Sequence, residues 1–126
     1  MNRTQISMEF LFRASPTILY KFLTAPTCLI RWFCDKVDNN GDEYTFIWGN
    51  SEEVAFLVDD LEDECIRYKW ENADDPDEYL EFKMSKSSIT NETILEVNDY
   101  CDSDDVHTQK QLWHSQIEEL RRAVGG

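Results

Sequence analysis

The hydrophobic pattern of the chain changes its period along the sequence. Near the start, Ile6, Met8, Phe10 and Phe12 alternate with mostly polar residues in ISMEFLFRA, and a period of two is typical of a half-buried strand. The same period returns after residue 35 and continues for about sixty-five residues. The pattern therefore predicts one early strand and a long β-rich region behind it.

Two short helices are predicted between these regions, over SPTILYKFLTAPTCLIRWF. Ser15 supplies an N-cap acceptor, and Pro16 takes the first helical position, where its missing N–H costs nothing because that donor has no partner within the helix. Thr24 and Pro26 repeat the signal for a second helix, which we expect to end near Trp32 and Phe33.

The β-rich region predicts successive hairpins. Turn residues at 39–42, 49–50 and 90–91 separate segments with one apolar parity, which is typical of antiparallel strands. In SEEVAFLVDD we assign the packed parity to Val54, Phe56 and Val58. We expect an antiparallel sheet of about six or seven strands, with one packed face and one solvated face.

The C-terminal segment predicts a long amphipathic helix. Val106, Trp113, Ile117, Leu120 and Val124 recur at intervals of seven, four, three and four, so they form one stripe on a helix of about five turns. Such a stripe needs an apolar surface to cover it, and we expect the helix to lie on the sheet. The fold class is therefore α+β.

Charge narrows the partners. The 126 residues carry 12 basic and 26 acidic side chains, a formal net charge of −14, which disfavours both nucleic acid and membrane surfaces. The acidic residues concentrate in runs at 59–64, 72–78 and 99–105. We interpret these runs as solvated turns; a docking face for a basic partner and weak calcium binding are the alternatives.

The chemical inventory predicts neither an enzyme nor a bound cofactor or metal. His107 and His114 stand about 10 Å apart on the final helix, too far for one metal ion, and no phosphate-binding glycine motif or nucleophile motif occurs. Asp35 is the first carboxylate to inspect as a base, but a cap or turn role is favoured. Four separated cysteines, no signal segment and no membrane-length apolar run lead us to expect a reduced, cytoplasmic protein.

The order strand, two short helices, meander and long helix resembles the helix-grip fold of the START-like (SRPBCC) superfamily. More closely, FRASPTILYKFLTAPTCLIRWF and QLWHSQIEELRRAVG resemble the first and last segments of the heat-shock ATPase activator homologues. The resemblance implies a single START-like domain over residues 1–126. Its curved sheet would wrap around the C-terminal helix, with the two short helices closing the open end.

The resemblance also implies a function. Many members bind a lipid or another apolar small molecule, without catalysis, in a cavity between the sheet and the final helix. By strand and helix parity, the candidate lining residues are Phe46, Trp48, Phe56, Tyr68, Trp70, Phe82, Leu95, Gln109, Trp113, Gln116 and Ile117. The same side chains can instead fill a solid core. A protein-interaction or chaperone-regulator module whose acidic loops dock a basic partner is the alternative function, and the expected assembly is a monomer or homodimer.

Overall fold

A computed structural model describes residues 2–126 and confirms the predicted α+β helix-grip architecture. In chain order its elements are β1 (Arg3–Phe12), α1 (Pro16–Thr24), α2 (Pro26–Leu29), β2 (Lys36–Asn40), β3 (Glu43–Trp48), β4 (Ser51–Leu61), β5 (Cys65–Trp70), β6 (Leu80–Lys86), β7 (Thr93–Asp102) and α3 (Val106–Val124). A single 3-10 turn over Ser103–Asp105 leads into α3.

The strands form one curved antiparallel sheet in the order β1-β7-β6-β5-β4-β3-β2. From β3 to β7 each strand pairs with the one before it, as expected for successive hairpins. β1 joins the far edge by pairing with β7, where Phe10 lies opposite Leu95. The last helix is therefore in contact with the first strand, because α3 follows β7 after the short 3-10 turn and packs on β1 and β7.

The apolar stripe of α3 packs into the concave side of the sheet. Trp113 is 3% exposed, and Ile117 and Leu120 are fully buried. Val106 and Val124, at the two ends of the helix, are partly buried against the same core. Gly125 adopts the left-handed conformation that ends the helix, with φ of 82°. The predicted stripe is confirmed.

Hydrogen bonds fix both ends of α1, the first through its own cap and the second through the sheet. The Ser15 hydroxyl accepts a hydrogen bond from the Ile18 N–H at 3.3 Å, which confirms the predicted cap. At the other end, Tyr68 and Tyr44 donate their hydroxyls to the carbonyls of Leu23 and Thr24 at 2.6 and 2.9 Å. These carbonyls belong to the last turn, which lacks partners within the helix.

The start of the second helix differs from the prediction. Pro26 does open α2, but Ala25 occupies the cap position and makes no side-chain capping bond. The Thr24 hydroxyl instead donates back to the Tyr20 carbonyl at 2.9 Å. Thr24 therefore bonds within the last turn of α1 and does not cap α2, because the Tyr20 carbonyl lies within reach of its short side chain.

The parity assigned to β4 is wrong. Phe56 is 37% exposed on the outer face, whereas Ala55 and Leu57 point inward. Ala55 pairs with Tyr44 on one side and Trp70 on the other. The concave face is crowded with aromatic rings beside Ala55, so it accepts a small residue there, and Phe56 and Val58 are left on the outer face.

The acidic run at 59–64 forms the β4–β5 hairpin and contacts α1. Asp60 accepts a hydrogen bond from Tyr20 at 2.6 Å, and Asp63 accepts one from Thr17 at 2.8 Å. Two acids of this run therefore hold α1 against the hairpin, in addition to the solvated role that the sequence predicts. Within residues 2–126, no helix is long and apolar enough to cross a membrane.

Candidate functional site

A cavity of about 550 Å³ lies at one end of the contact between α3 and the sheet. Its walls come from the ends of β3 and β5, the start of β4, one flank of α3, and the loop that joins β5 to β6. β4 contributes Ser51 and Glu53, which lie on the same side of the strand as the inward-facing Ala55 and Leu57. Because these side chains are not bulky and apolar, this part of the concave face is left unfilled.

Four aromatic rings form a continuous wall in the cavity. Phe33, from the segment after α2, stacks on Trp113 with ring centroids 6.4 Å apart and meets Trp48 edge-on at 5.4 Å. Trp48 in turn lies 6.2 Å from Trp70. The Trp48 indole N–H donates to the Phe33 carbonyl at 2.6 Å, so the wall is pre-formed by packing and by a hydrogen bond.

Asp99 lines this cavity and is hydrogen-bonded to its aromatic wall. Its Oδ2 accepts hydrogen bonds from Trp113 Nε1 at 2.8 Å and Gln109 Nε2 at 3.3 Å, and its Oδ1 accepts one from the Tyr100 N–H at 2.8 Å. Burial raises the pKa of the Asp99 carboxyl above its ordinary value, and these hydrogen bonds oppose the rise. The carboxylate is positioned by neutral donors.

Arg3 organises the acidic loops around the cavity. Its guanidinium donates to both carboxylate oxygens of Glu78, at 2.8 and 2.6 Å, and to Asp102 at 3.1 Å. It also forms an ion pair with Asp74 at 3.3 Å. The acidic runs at 72–78 and 99–105, distant in sequence, are therefore clamped together by one side chain.

The structure brings five of the predicted lining residues together in the cavity wall: Trp48, Trp70, Gln109, Trp113 and Gln116. A second group lies beyond the wall in close-packed core and does not line the cavity: Phe46, Tyr68, Phe82, Leu95 and Ile117. Phe56 lies on the opposite face of the sheet, so its inclusion was wrong. The space between α3 and the sheet is therefore close-packed in the middle and contains a cavity at one end.

Sequence reasoning missed Phe33, Arg3, Asp99 and the β5–β6 loop. The acidic members were interpreted as solvated turn residues because they occur in charged runs. One signal was available in β7, whose inward parity runs Thr93, Leu95, Val97, Asp99 and Cys101. A single acid on an otherwise buried parity marks a carboxylate directed toward the core side of a sheet.

The other residues considered for chemistry lie elsewhere. Asp35 accepts a hydrogen bond from the Gly49 N–H at 2.7 Å and serves as a turn residue. His114 packs its ring edge against Phe10, with centroids 5.1 Å apart. In the described chain, no three His, Cys, Asp or Glu side chains are grouped so that they could hold a metal ion, and all four cysteines are free thiols.

Comparisons with known proteins agree with this geometry. A family model described as a START-like superfamily domain matches residues 1–126. The solution structure of BfR322 from Bacteroides fragilis is 34% identical, with 97% of this chain and 91% of that chain covered and a TM-score of 0.70. No curated protein matches the chain.

Two more distant structures share the fold. The Aha1 dimer from Colwellia psychrerythraea is 14% identical, with 96% of each chain covered and a TM-score of 0.79. DynU16, assigned to the dynemicin biosynthetic locus, is 15% identical, with 94% of this chain and 46% of that chain covered and a TM-score of 0.78. At these identities the likeness shows the fold alone.

Proposed function

Because this chain belongs to the START-like superfamily, whose fold commonly binds hydrophobic ligands or mediates interactions, we propose that it binds an apolar small molecule without catalysis. The proposed site is the cavity between α3 and the sheet, within a single domain of residues 1–126. The supporting observation is the cavity of about 550 Å³ with its continuous aromatic wall. Small-molecule sites commonly enclose roughly 300–1,000 Å³.

The lining has the composition of such a site. Aromatic faces supply apolar area, and a few polar groups on one side can orient a ligand. Gln109 and Gln116, on the flank of α3, are partly exposed beside Asp99 and Trp113. We assign ligand contact to these polar groups and to the tryptophans. Phe46, Tyr68, Phe82, Leu95 and Ile117 support the wall from behind.

The alternative of a basic partner docked on acidic loops has less support. The carboxylates of Asp74, Glu78 and Asp102 are already engaged by Arg3, and two acids of the 59–64 run are bonded to α1. Fewer carboxylates of these loops are therefore free to pair with a partner than the sequence indicates. For assembly, the Colwellia protein described as a dimer supports a homodimer, and a monomer is the other expectation.

Fluorescence titration with N-phenyl-1-naphthylamine, a neutral probe that brightens in apolar surroundings, tests the proposal. We expect a saturable increase, energy transfer from the wall tryptophans, and a rise in melting temperature with probe concentration, because a ligand that binds only the folded state stabilises it. Absence of saturable binding up to the solubility limit of the probe overturns the proposal.

A variant that fills the cavity locates the site. Ser51 lines the cavity but is exposed, so Ser51→Phe adds a ring there without disturbing the core. We expect this variant to lose probe binding. Ser115→Phe places the same ring on the exposed side of α3, outside the cavity, and should bind as the parent does. Equal binding by both variants would place the probe elsewhere.

A further inference from the structure

The charge inside the cavity is unbalanced. Its lining includes one cationic side chain, Arg3, and four carboxylates, those of Glu53, Asp74, Glu78 and Asp99. Formally this leaves three excess negative charges around an aromatic space. A cavity of this kind attracts cations and repels fatty acids and other anions.

The single cation, Arg3, forms no ion pair with Asp99, the carboxylate that is hydrogen-bonded to the aromatic wall. Arg3 directs its donors to Glu78 and Asp102 and pairs with Asp74. No Lys or Arg of the described chain lies within ion-pair distance of Asp99; its hydrogen-bond donors are an indole, an amide side chain and a backbone N–H. Glu53 likewise has no cationic partner there. Glu53 and Asp99 of the lining thus have no ion-pair partner in the described chain.

The aromatic wall is also free of cations. The arginines that lie over aromatic rings in the described chain contact rings outside this wall, namely Phe22, Tyr79 and Phe12. The faces of Trp48, Trp70 and Trp113 have no such partner in residues 2–126. Tryptophan is the aromatic side chain that attracts cations most strongly. Here Trp113 is hydrogen-bonded to Asp99, and Trp48 and Trp70 line the same cavity.

Building on the proposed function, we infer that the ligand is an organic cation, a molecule with an apolar body and an ammonium or protonated amine group. The apolar body lies along the wall of Phe33, Trp48 and Trp70. The cationic group lies beside Trp113 and pairs with Asp99, which supplies the missing counter-charge. Hydrogen bonds from Trp113 and Gln109 hold this carboxylate in place before the ligand arrives, which lowers the entropic cost of binding.

An isosteric set of three phenols tests the inference. 3-Hydroxyphenyltrimethylammonium and 3-tert-butylphenol have the same shape and differ by one charge, and 3-hydroxybenzenesulfonate carries the opposite charge. Displacement of N-phenyl-1-naphthylamine measures all three on the parent protein. We expect the ammonium compound to bind at least about tenfold more tightly than its neutral isostere, since cation–π contact and a desolvated ion pair together exceed about 1.4 kcal/mol. The sulfonate should bind most weakly.

Asp99→Asn locates the selectivity. This variant removes the charge and keeps an oxygen acceptor for Trp113, so the preference for the ammonium compound over 3-tert-butylphenol should fall by about tenfold. Circular dichroism and the melting temperature check that the variant folds. If it does not, Glu53→Gln, at an exposed position without a cationic partner in the described chain, should reduce the same preference by about two- to threefold.

The outcomes separate this inference from the proposed function. Equal or tighter binding of the neutral or anionic phenol overturns the inference and leaves small-molecule binding standing. Binding of N-phenyl-1-naphthylamine without binding of the ammonium compound does the same. Failure of N-phenyl-1-naphthylamine itself to bind overturns the proposed function and, with it, the inference that rests on it.

Discussion

Trp113 donates its indole N–H to Asp99 across 2.8 Å, so a buried residue of α3 and a carboxylate of β7 form one unit. The bond explains how an acid is tolerated on the inward parity of β7, because a buried polar group is costly unless it is hydrogen-bonded. It also fixes the indole ring against Phe33 and Phe82. The core and the cavity therefore meet at this pair.

Trp113→Phe should destabilise the fold more than Trp48→Phe does. Both variants keep an aromatic ring, but the first removes a hydrogen bond to a carboxylate and the second removes one to a carbonyl. Bonds to charged groups contribute about 1.5–3 kcal/mol, against about 0.5–1.5 kcal/mol for neutral ones. Urea denaturation followed by circular dichroism measures both losses. A cost for Trp113→Phe no larger than that for Trp48→Phe would contradict the role of the pair.

Asp99 should titrate above the ordinary aspartate pKa of 3.8, because burial disfavours its charged form more than the hydrogen bonds from Trp113, Tyr100 and Gln109 favour it. A raised folded-state pKa means that ionisation is easier in the unfolded chain. Stability relative to Asp99→Asn should therefore fall as pH rises from 3.8 through the folded-state pKa, and be constant above it. Carboxyl 13C NMR gives the pKa directly, and a value below 3.8 would refute this expectation.

Tyr68→Phe should cost about 1–2 kcal/mol, since it leaves the Leu23 carbonyl at the end of α1 without its buried donor. Tyr20→Phe provides the matched control, because it removes a hydroxyl that bonds an exposed carboxylate, Asp60. We expect the control to cost less than about 0.5 kcal/mol. Chemical denaturation measures both, and hydrogen exchange should show faster opening of α1 in Tyr68→Phe only. Equal losses would mean that the sheet does not hold this helix end.

The elements that the sequence predicts well are those whose pattern reports burial directly. β1 has one apolar parity and one mostly polar parity, and the stripe of α3 has a long run over which the helical period is clear. β4 fails because burial there depends on its neighbours. Phe56 is more apolar than Ala55, but only Ala55 fits between Tyr44 and Trp70. No signal within the strand carries that information.

The cavity lining likewise contains residues that the local sequence pattern predicts and residues that it does not. Tryptophans and glutamines at its wall follow from the parity of the strands and the helix. Along the chain, Arg3 is 75 residues from Glu78 and 99 residues from Asp102. The pairing of β1 with β7 places Arg3 opposite Asp102, and the β5–β6 loop brings Glu78 to the same guanidinium. The local sequence pattern does not show a cluster made by such long-range contacts, and the acids of this cluster resemble those of ordinary solvated loops.

Phe56→Ala and Phe46→Ala test the corrected parity. Phe46 is 1% exposed in the core, so its truncation should cost about 3–5 kcal/mol through lost burial and the cavity left behind. Phe56 lies on the outer face, and its truncation should cost less than about 1 kcal/mol. Thermal or urea denaturation of the two variants gives the comparison. Similar losses at both positions would restore the original assignment of Phe56 to the packed side.

On the outer face of the sheet, a buried acid, Glu81, is paired with Arg67. Glu81 is 2% exposed at its side chain and accepts hydrogen bonds from Arg67 at 2.5 Å and Asn98 at 2.8 Å. Burial pushes the pKa of Glu81 upward, but these two hydrogen bonds outweigh it and hold the pKa below its ordinary value of 4.5. Arg67 also covers the ring of Tyr79, 4.2 Å from its centroid.

Arg67→Met should therefore destabilise the protein by about 2–3 kcal/mol at neutral pH, since it leaves the Glu81 carboxylate buried without its guanidinium. Loss of one partner of a fully buried pair costs about 3–5 kcal/mol, and Arg67 is 35% exposed, which reduces the effect. Because the folded-state pKa of Glu81 is lowered in the parent, the contribution of the pair is complete above 4.5 and is lost as pH falls through that folded-state pKa. The difference in unfolding free energy between parent and variant should narrow accordingly in urea titrations at decreasing pH.

Lys83→Met is the control. It removes a half-exposed amine 3.8 Å from the same carboxylate and should cost less than about 0.5 kcal/mol. A gap independent of pH, or an equal loss in the lysine variant, would show that packing of the arginine stem rather than its charge stabilises this face.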